Sequence, residues 1–461
     1  MAQGIRYVLF FTSLLLAPSC GFAAGDTKGH KPNILVLLAD DLGYQDLGCQ
    51  GSPEIKTPHI DSLAKNGVRC TSGYVTAVMC SPSRAGLLTG RSQSRFGHEI
   101  NWPDNDFTGV CGLPLSEKTL ADRLRTAGYR TGCVGKWHLG DVPKFHPNQR
   151  GFDEFVGFLN GGHHYFCDDY VPAKKYGFTD DFFETYGTLL QRNGVPEKHA
   201  GYLTTVLGKE AVSFIHRNKA QPWFLYMAFN APHVPFEAPK EYLDRYAGIG
   251  DPSRRTYAAM IGALDDAVGE VLSQLKADGL EEDTLVFFLS DNGGPLTHVG
   301  PVNAPLSGEK GFTFEGGIRV PFLVQWKGVI PAGKTYDRPV SSLDISATAL
   351  DLAGVSWPKD LPLDGTDIIP YLTGAKTGEP HEALLWRLDR RKTWAIRSGD
   401  WKLEANRGWQ DIPDAARAPR LINLVDDIAE RHDLRSGNAD KAAEMRRVYD
   451  AWNATLPKPA W

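Results

Sequence analysis

Asp40 and Asp41 stand side by side at the end of PNILVLLADD, and Asp291 and Asn292 follow the apolar run TLVFFLS. Adjacent carboxylates repel one another unless a cation or strong donors offset them. Taken alone, the first pair reads equally as a helix cap beside a solvated acid. With the second cluster it becomes an oxygen-rich set of three carboxylates and an amide, without clustered histidines or thiolates. Such a set suits Ca2+ or Mg2+ rather than zinc, and the glycines after Asn292 are expected to let backbone approach a ligand. Basic residues stand in matching places: Lys136 and His138 in GKWHLG, His233 in APHVPF, and Lys310 in GEKGFTFEGGIRVP ahead of Arg319. Singly these are surface charges and hydrogen-bonding fixtures. Gathered around a divalent cation they suit a tetrahedral oxyanion ester, the positive groups stabilising charge and a histidine protonating the departing alcohol.

Cys80 opens the stretch CSPSRAGLLTGR, at the mouth of an expected helix. A helix N-terminus, with Arg84 one turn on, is expected to lower the thiol pKa. A nucleophile, half of a disulfide, a metal ligand and plain packing all fit a cysteine there. On spacing alone, a catalytic thiol and a structural one are equally open.

The elements that must position these groups alternate. Buried-strand runs are PNILVLLA, the stretch ending at Val134, WFLYMAF (223–229) and TLVFFLS (284–290). Helical spacing marks TPHIDSLAKNG, a helix from about Ser116 to Gly128, and a long helix from Arg255 to Ala277. Helices alternating with buried strands predict an α/β sandwich on a mostly parallel or mixed sheet, with ligands at the strand ends. After DIIPYLTG the rhythm changes to antiparallel strands in ALLWRLDRRKTWAIRSGDWKLEA and a closing helix in KAAEMRRVYDAWNATL. The expected organisation is a signal peptide over 1–24, a catalytic domain over 25–374 and a smaller C-terminal domain over 375–461 that contributes to the substrate cleft.

Bulk properties narrow the setting. With 461 residues the chain exceeds the usual reach of one hydrophobic core, and a net charge of −5 argues against nucleic acid as a target. Arg6, the apolar YVLFFTSLLLA and the small residues of PSCGFAAG read as an export signal, too short to span a membrane. Periplasmic or secreted location is the expectation, with a lipid anchor at Cys20 disfavoured by Ala17 and Pro18. Of seven cysteines, removal of Cys20 with the signal leaves six, an even number compatible with disulfides; none shows the CxxC spacing of a zinc or iron–sulfur site.

The run Cys80-Ser81-Pro82-Ser83-Arg84, extended through AGLLTGR, resembles the signature of the type I sulfatases, the formylglycine-dependent enzymes of the alkaline phosphatase superfamily. NILVLLADDLGYQDLGCQG, GKWHLG, APHVPF, SDNGG, EKGFTFEGGIRVP and LINLVDDIAERHDL resemble the family's other stations, in order, across essentially the whole mature chain. The resemblance implies an alkaline-phosphatase-like sandwich. It also implies that Cys80 is oxidised to formylglycine (3-oxoalanine) by a formylglycine-generating or radical maturase that reads the cysteine, the proline and the arginine. Asp40, Asp41, Asp291, Asn292 and residue 80 would hold one Ca2+. Arg84 and Lys136 would position the aldehyde hydrate, with His138 hydrogen-bonded to it, while Lys310 and His233 grip the sulfate. A hydrated aldehyde carries two hydroxyls on one carbon. One, with Asp291 as base, attacks sulfur while His233 protonates the leaving alcohol; the other gives its proton to His138, so that the carbon can expel sulfate. A serine or cysteine adduct lacks that second hydroxyl and would be trapped.

A sulfated sugar or polysaccharide is the expected substrate, a carrageenan-like galactan or a galactosamine-containing glycan, since no apolar hairpin resembles a membrane-inserting steroid sulfatase element. Candidate sugar contacts are His98 and Asn101, His163 and His164 in NGGHHYF, and Trp386, Arg387, Arg390 and Arg391 in WRLDRRKTW. The competing readings are a phosphomonoester or phosphonate-ester hydrolase of the same superfamily, which two ions would favour, and a non-catalytic carbohydrate-binding protein, which would carry broken site positions.

Overall fold

The four runs read above as buried strands all become strands of one sheet, and the two faces of each meet different cores. The computed structural model describes residues 1, 31–102, 109–166, 189–358, 361–389, 392–406 and 418–461. Along Asn33–Ala39, Leu35 and Leu37 enter a core shared with helices Leu203–Asn218 and Pro252–Ala277. Ile34, Val36 and Leu38 enter a second core with helices Cys80–Thr89, Leu120–Thr126 and Leu343–Leu352. Alternate side chains project to opposite faces; with both faces covered, such a strand reads as an unbroken apolar run.

The ten-stranded sheet runs Lys334–Tyr336, Val68–Cys70, Phe322–Gln325, Thr284–Ser290, Asn33–Ala39, Trp223–Ala228, Arg130–Lys136, Glu154–Phe158, Leu190–Arg192, Val195–Glu197. The five neighbours from Thr284–Ser290 to Glu154–Phe158 are parallel, whereas Phe322–Gln325 and Leu190–Arg192 join antiparallel at either side. Ala39 pairs with Ser290, Leu38 with Ala228, and Gly135 with Ala228. This register brings the ends of four strands level, at the crevice where the strand order reverses around Asn33–Ala39. One boundary moved. The helix expected from Ser116 begins at Leu120, because Thr119 and Asp122 form a reciprocal capping box.

A second sheet is antiparallel, in the order Leu384–Leu388, Thr393–Ser398, Trp401–Ala405, Arg420–Asn423. One face packs on helix Ala439–Asn453, with Trp394 stacked on Tyr449 at 4.4 Å between centroids. The other face carries Leu384, Trp386, Leu388 and Ala395 onto Tyr74, Val78, Met79 and Ile318, the last residues before Cys80 among them. Residues from Lys31 to Trp461 form one compact unit holding both sheets.

Among the described residues no helix is long and apolar enough to cross a membrane. Cys49, Cys70, Cys80 and Cys133 carry free thiols rather than joining a disulfide framework. Cys70 and Cys133 are fully buried inside strands, where they pack as small apolar residues. Cys20, Cys167 and, of the signal expected over 1–24, all residues but the first lie outside the described residues.

Candidate active site

The chain turns sharply as it leaves the central strands. Asp41 (φ 64°) and His138 (φ 55°) both adopt the left-handed conformation, which non-glycine residues take at a cost that the surrounding contacts must offset. Both lie one or two residues beyond a strand end. Asp40 and Asp41 follow Ala39, Asp291 and Asn292 follow Ser290, and Lys136 closes its own strand. Cys80 is the first residue of a ten-residue helix that is buried throughout.

These groups converge. Oxygens of Asp40, Asp41 and Asp291 and the Cys80 sulfur all lie within 4.8 Å of one another. Cys80 Sγ is 3.5 Å from Asp40 Oδ1, and Lys310 Nζ is 3.2 Å from Cys80 Sγ. Lys310 also reaches Asp41 at 2.7 Å, and 19% of its side chain stays exposed. Lys136 Nζ donates to Asp40 Oδ2 at 2.5 Å. Arg84 donates through Nε to Asp291 at 2.9 Å and through a terminal nitrogen to the Lys136 carbonyl at 3.0 Å. His233 Nδ1 donates to the Val234 carbonyl at 2.7 Å, since a carbonyl can only accept, which leaves Nε2 facing Asp41 at 3.6 Å.

The electrostatics correct one expectation and support another. Burial pushes the Cys80 thiol up, and Asp291 and Asp40 push it further, against the opposing pull of Lys136 and Lys310. The net shift is upward rather than the lowering expected from the helix end and Arg84, because burial and the two acids outweigh the cations around the sulfur. An unmodified Cys80 is therefore a poor nucleophile. Burial, then Asp40, raise Asp291 to about 6 despite Arg84, whereas, against its burial, Lys310 and His233 hold Asp41 well below the usual carboxylate range. Asn292 Nδ2 donates to Asp41 at 2.6 Å, while its buried Oδ1 meets no partner. Crowded acids beside an orphaned amide oxygen are a donor set that fits a hard divalent cation. Burial, then Lys136 and Arg84, hold His138 well below the usual histidine range, and its Nδ1 has no partner. Burial likewise brings His233 down to about 3.

Other candidates are engaged differently. His98 is wholly buried, with Nε2 on Ser81 Oγ at 2.7 Å, and Asn101 Oδ1 accepts from the Ser81 amide at 3.0 Å. Both brace the start of the Cys80 helix, His98 from the interior and Asn101 from a half-buried position. Trp386 is a core residue whose Nε1 donates to Val75 O at 2.7 Å, and Arg387 pairs with Glu99 at 2.5 Å and donates to Pro457 O at 2.6 Å. Arg390 and Arg391 lie outside the described residues. His163 and His164 stand in the loop beside His233: Asn230 donates to the His163 carbonyl at 2.8 Å, and His164 Nδ1 faces Glu237 at 3.2 Å. The glycines after Asn292 allow close backbone packing. A Cβ on Gly293 would stand 1.7 Å from the Gly316 carbonyl. Sequence reasoning missed Tyr165 and Glu237. The Tyr165 hydroxyl donates to the His233 carbonyl at 2.8 Å, and Glu237 accepts from the Tyr165 amide at 2.7 Å. Glu237 follows APHVPF directly, the one cue available.

Comparison with known proteins decides the family. The model described as Sulfatase matches residues 32–355, and that described as N-sulphoglucosamine sulphohydrolase, C-terminal, matches 308–405. The chain belongs to the sulfatase family. An uncharacterized sulfatase, YdeN of Escherichia coli (strain K12), is 35% identical over 413 residues, covering 78% of this chain and 69% of that one. N-acetylgalactosamine-6-sulfatase of Canis lupus familiaris is 37% identical over 379 residues, covering 79% and 70%. Among solved structures, Ps i-CgsB in complex with k-i-k-neocarrahexaose is 40% identical, with a TM-score of 0.85 over 94% of each chain. This sulfatase thus has the alkaline-phosphatase-like sandwich with an added antiparallel sheet, and is a sulfuric ester hydrolase of the type I class. Its buried Asp40–Cys80–His233 cluster matches the calcium and formylglycine site of that class.

Proposed function

We propose that this sulfatase removes a sulfate ester from a galactan of the carrageenan kind or from a galactosamine-containing glycan, outside the cytoplasm. The sugar class is supported by the N-acetylgalactosamine-6-sulfatases among its relatives and by the neocarrahexaose bound to its structural neighbour. Asp40, Asp41, Asp291, Asn292 and residue 80 are the ligands of one calcium ion. When present, the ion supplies positive charge to the sulfo group, and formylglycine made from Cys80 by a maturase supplies a geminal diol as nucleophile.

This chain's own residues do the rest. Lys136 and Arg84, both held by buried acids, fix the nucleophilic position and stabilise negative charge there. Lys310, the most exposed of these three cations, grips the sulfate. His233 presents Nε2 as the acid for the leaving alcohol. Burial keeps it neutral in the free site, and the negative charge of a bound sulfate ester acts in the direction of protonating it. Neutral His138, with Nδ1 free, is placed to receive a proton, and Asp291, within 4.8 Å of residue 80, is the base for the attacking hydroxyl. His163 and His164 are the sugar contacts nearest the leaving group, and residues 375–461 form a subdomain bordering the cleft.

The observation that carries this reading is the meeting of Cys80 with three buried carboxylates and Lys310 at the carboxyl ends of the parallel strands. Mass spectrometry of the peptide containing residue 80, from protein made with a maturase, is expected to show the aldehyde. Active enzyme with its thiol intact would overturn the mechanism. A panel of defined sulfated oligosaccharides, scored for released sulfate and for the carbon that lost it, tests the substrate.

A further inference from the structure

The loop that carries Lys310 is held from outside the catalytic sheet. Ser307 Oγ donates to the Ala429 carbonyl at 2.5 Å, and the Glu315 amide donates to Glu430 Oε2 at 2.7 Å. Between them, the Thr313 amide and hydroxyl both donate to Asn406 Oδ1 at 2.8 Å. Asn406 cannot turn its amide over without loss. Its Nδ2 donates to Glu404 Oε2 at 2.5 Å, and the other oxygen of Glu404 takes Arg420 Nε at 2.8 Å. Behind the loop, Lys402 Nζ bridges Glu315 Oε1 and Glu430 Oε1, each at 2.8 Å, and all three side chains are buried. Tyr74 OH donates to Glu315 Oε2 at 2.5 Å. Toward the reaction centre, the Gly311 amide donates to the Val78 carbonyl at 2.8 Å, two residues before Cys80.

A buried ion triad adds little net stability over apolar packing, and its best-attested use is to impose one register on the elements it joins. Here the elements are the antiparallel sheet and the segment from Ser307 to Glu315. Within that segment Lys310 must set its ammonium between Asp41 and residue 80, at 2.7 and 3.2 Å. Misplacement of a reacting-site group by about 1 Å costs on the order of 10²-fold in rate.

We propose that Asn406, backed by the Glu315–Lys402–Glu430 triad, is a positioning residue for Lys310, so that the antiparallel sheet sets where this cation stands over residue 80. The inference rests on reading Lys310 as the group that engages the sulfate, and its test separates the two. Asn406→Ala, Lys310→Ala and the double variant are compared in calcium-loaded, matured enzyme. The readouts are kcat on the best-cleaved oligosaccharide of the panel, affinity for inorganic sulfate by calorimetry, and melting temperature. Asn406→Ala is expected to lower kcat by about tenfold and to weaken sulfate binding. In the Lys310→Ala background the same change should alter either quantity by less than about twofold. Thr313→Val, which keeps the amide donor and removes the hydroxyl, should give the same pattern at smaller amplitude and with the melting point nearly unchanged, serving where Asn406→Ala folds poorly. An equal loss with and without Lys310, or no loss from Asn406→Ala in folded enzyme, overturns the positioning role and leaves the reading of Lys310 intact. Full activity and sulfate affinity in Lys310→Ala would overturn both.

Discussion

Two buried clusters of opposite charge lie in this molecule, and they are built from the same parts. At the strand ends, Asp40, Asp41 and Asp291 meet Lys136, Lys310 and Arg84 at 2.5–2.9 Å. Beneath the Lys310 loop, Glu315 and Glu430 meet Lys402 at 2.8 Å. What separates them is spare capacity. The first cluster leaves Asn292 Oδ1 and His138 Nδ1 without partners, whereas a raised acid (Asp291, Glu430) and a non-glycine residue in left-handed backbone (Asp41, Glu430) occur in both. In the second, every charged group has its partners within the protein. Buried charge by itself is thus no mark of chemistry; unmet coordination is.

Breaking the first cluster should have the largest effect. Cys80→Ser is expected to reduce sulfate release by more than about 10⁴-fold while keeping its melting temperature close to that of the parent. Measurable turnover in that variant would remove the need for a diol. Chelation of calcium comes next. Activity should disappear with EGTA and return with calcium, and calcium at 100 times its Kd should add about 2.7 kcal/mol of stability, seen as a rise in melting temperature. Asp40→Asn should lose that rise, whereas variants of the Lys402 triad should keep it.

The second cluster should respond in stability. Lys402→Met leaves two buried carboxylates without their shared cation, which costs about 3–5 kcal/mol, read from urea unfolding; an unchanged midpoint would refute its role as a brace. The smallest effect is a pH slope. Burial and Glu315 raise Glu430 from 4.5 to about 7 despite Lys402. Between those values the folded protein keeps a proton that the unfolded chain has released, so this contribution to stability is present at pH 4.5 and lost as pH rises through 7. Glu430→Gln should flatten that fall, checked by urea midpoints at pH 5 and pH 8.

The legibility of the two clusters in the sequence differs for a physical reason. Asp40, Asp41, Asp291 and Asn292 each follow an apolar run, and a parallel sheet forces the ends of such runs to one edge. The acids, Lys136 and the alternation of strand and helix could therefore be read from local pattern. Glu315, Lys402 and Glu430 come from three separate segments, and nothing local distinguishes a lysine between two acids from a solvated one. The same blindness affected Trp386, which its strand turns to Tyr74 and Val75, and Arg387, which meets the distant Glu99 and Pro457. It also affected the Cys80 thiol, since the helix end was visible but the acids around it, 40 and 211 positions away in the chain, were weighed as metal ligands and base rather than for their effect on the thiol.

The ten-residue helix begun by Cys80 is sealed along its length, and Arg84 within it is fully enclosed and clasped by Asp291. Any enzyme that identifies the cysteine by its neighbours Pro82 and Arg84 would find both out of reach once the chain has closed. Oxidation of that sulfur by such an enzyme would then belong to the interval before folding, and a molecule that folded first would stay unconverted for as long as it stayed folded.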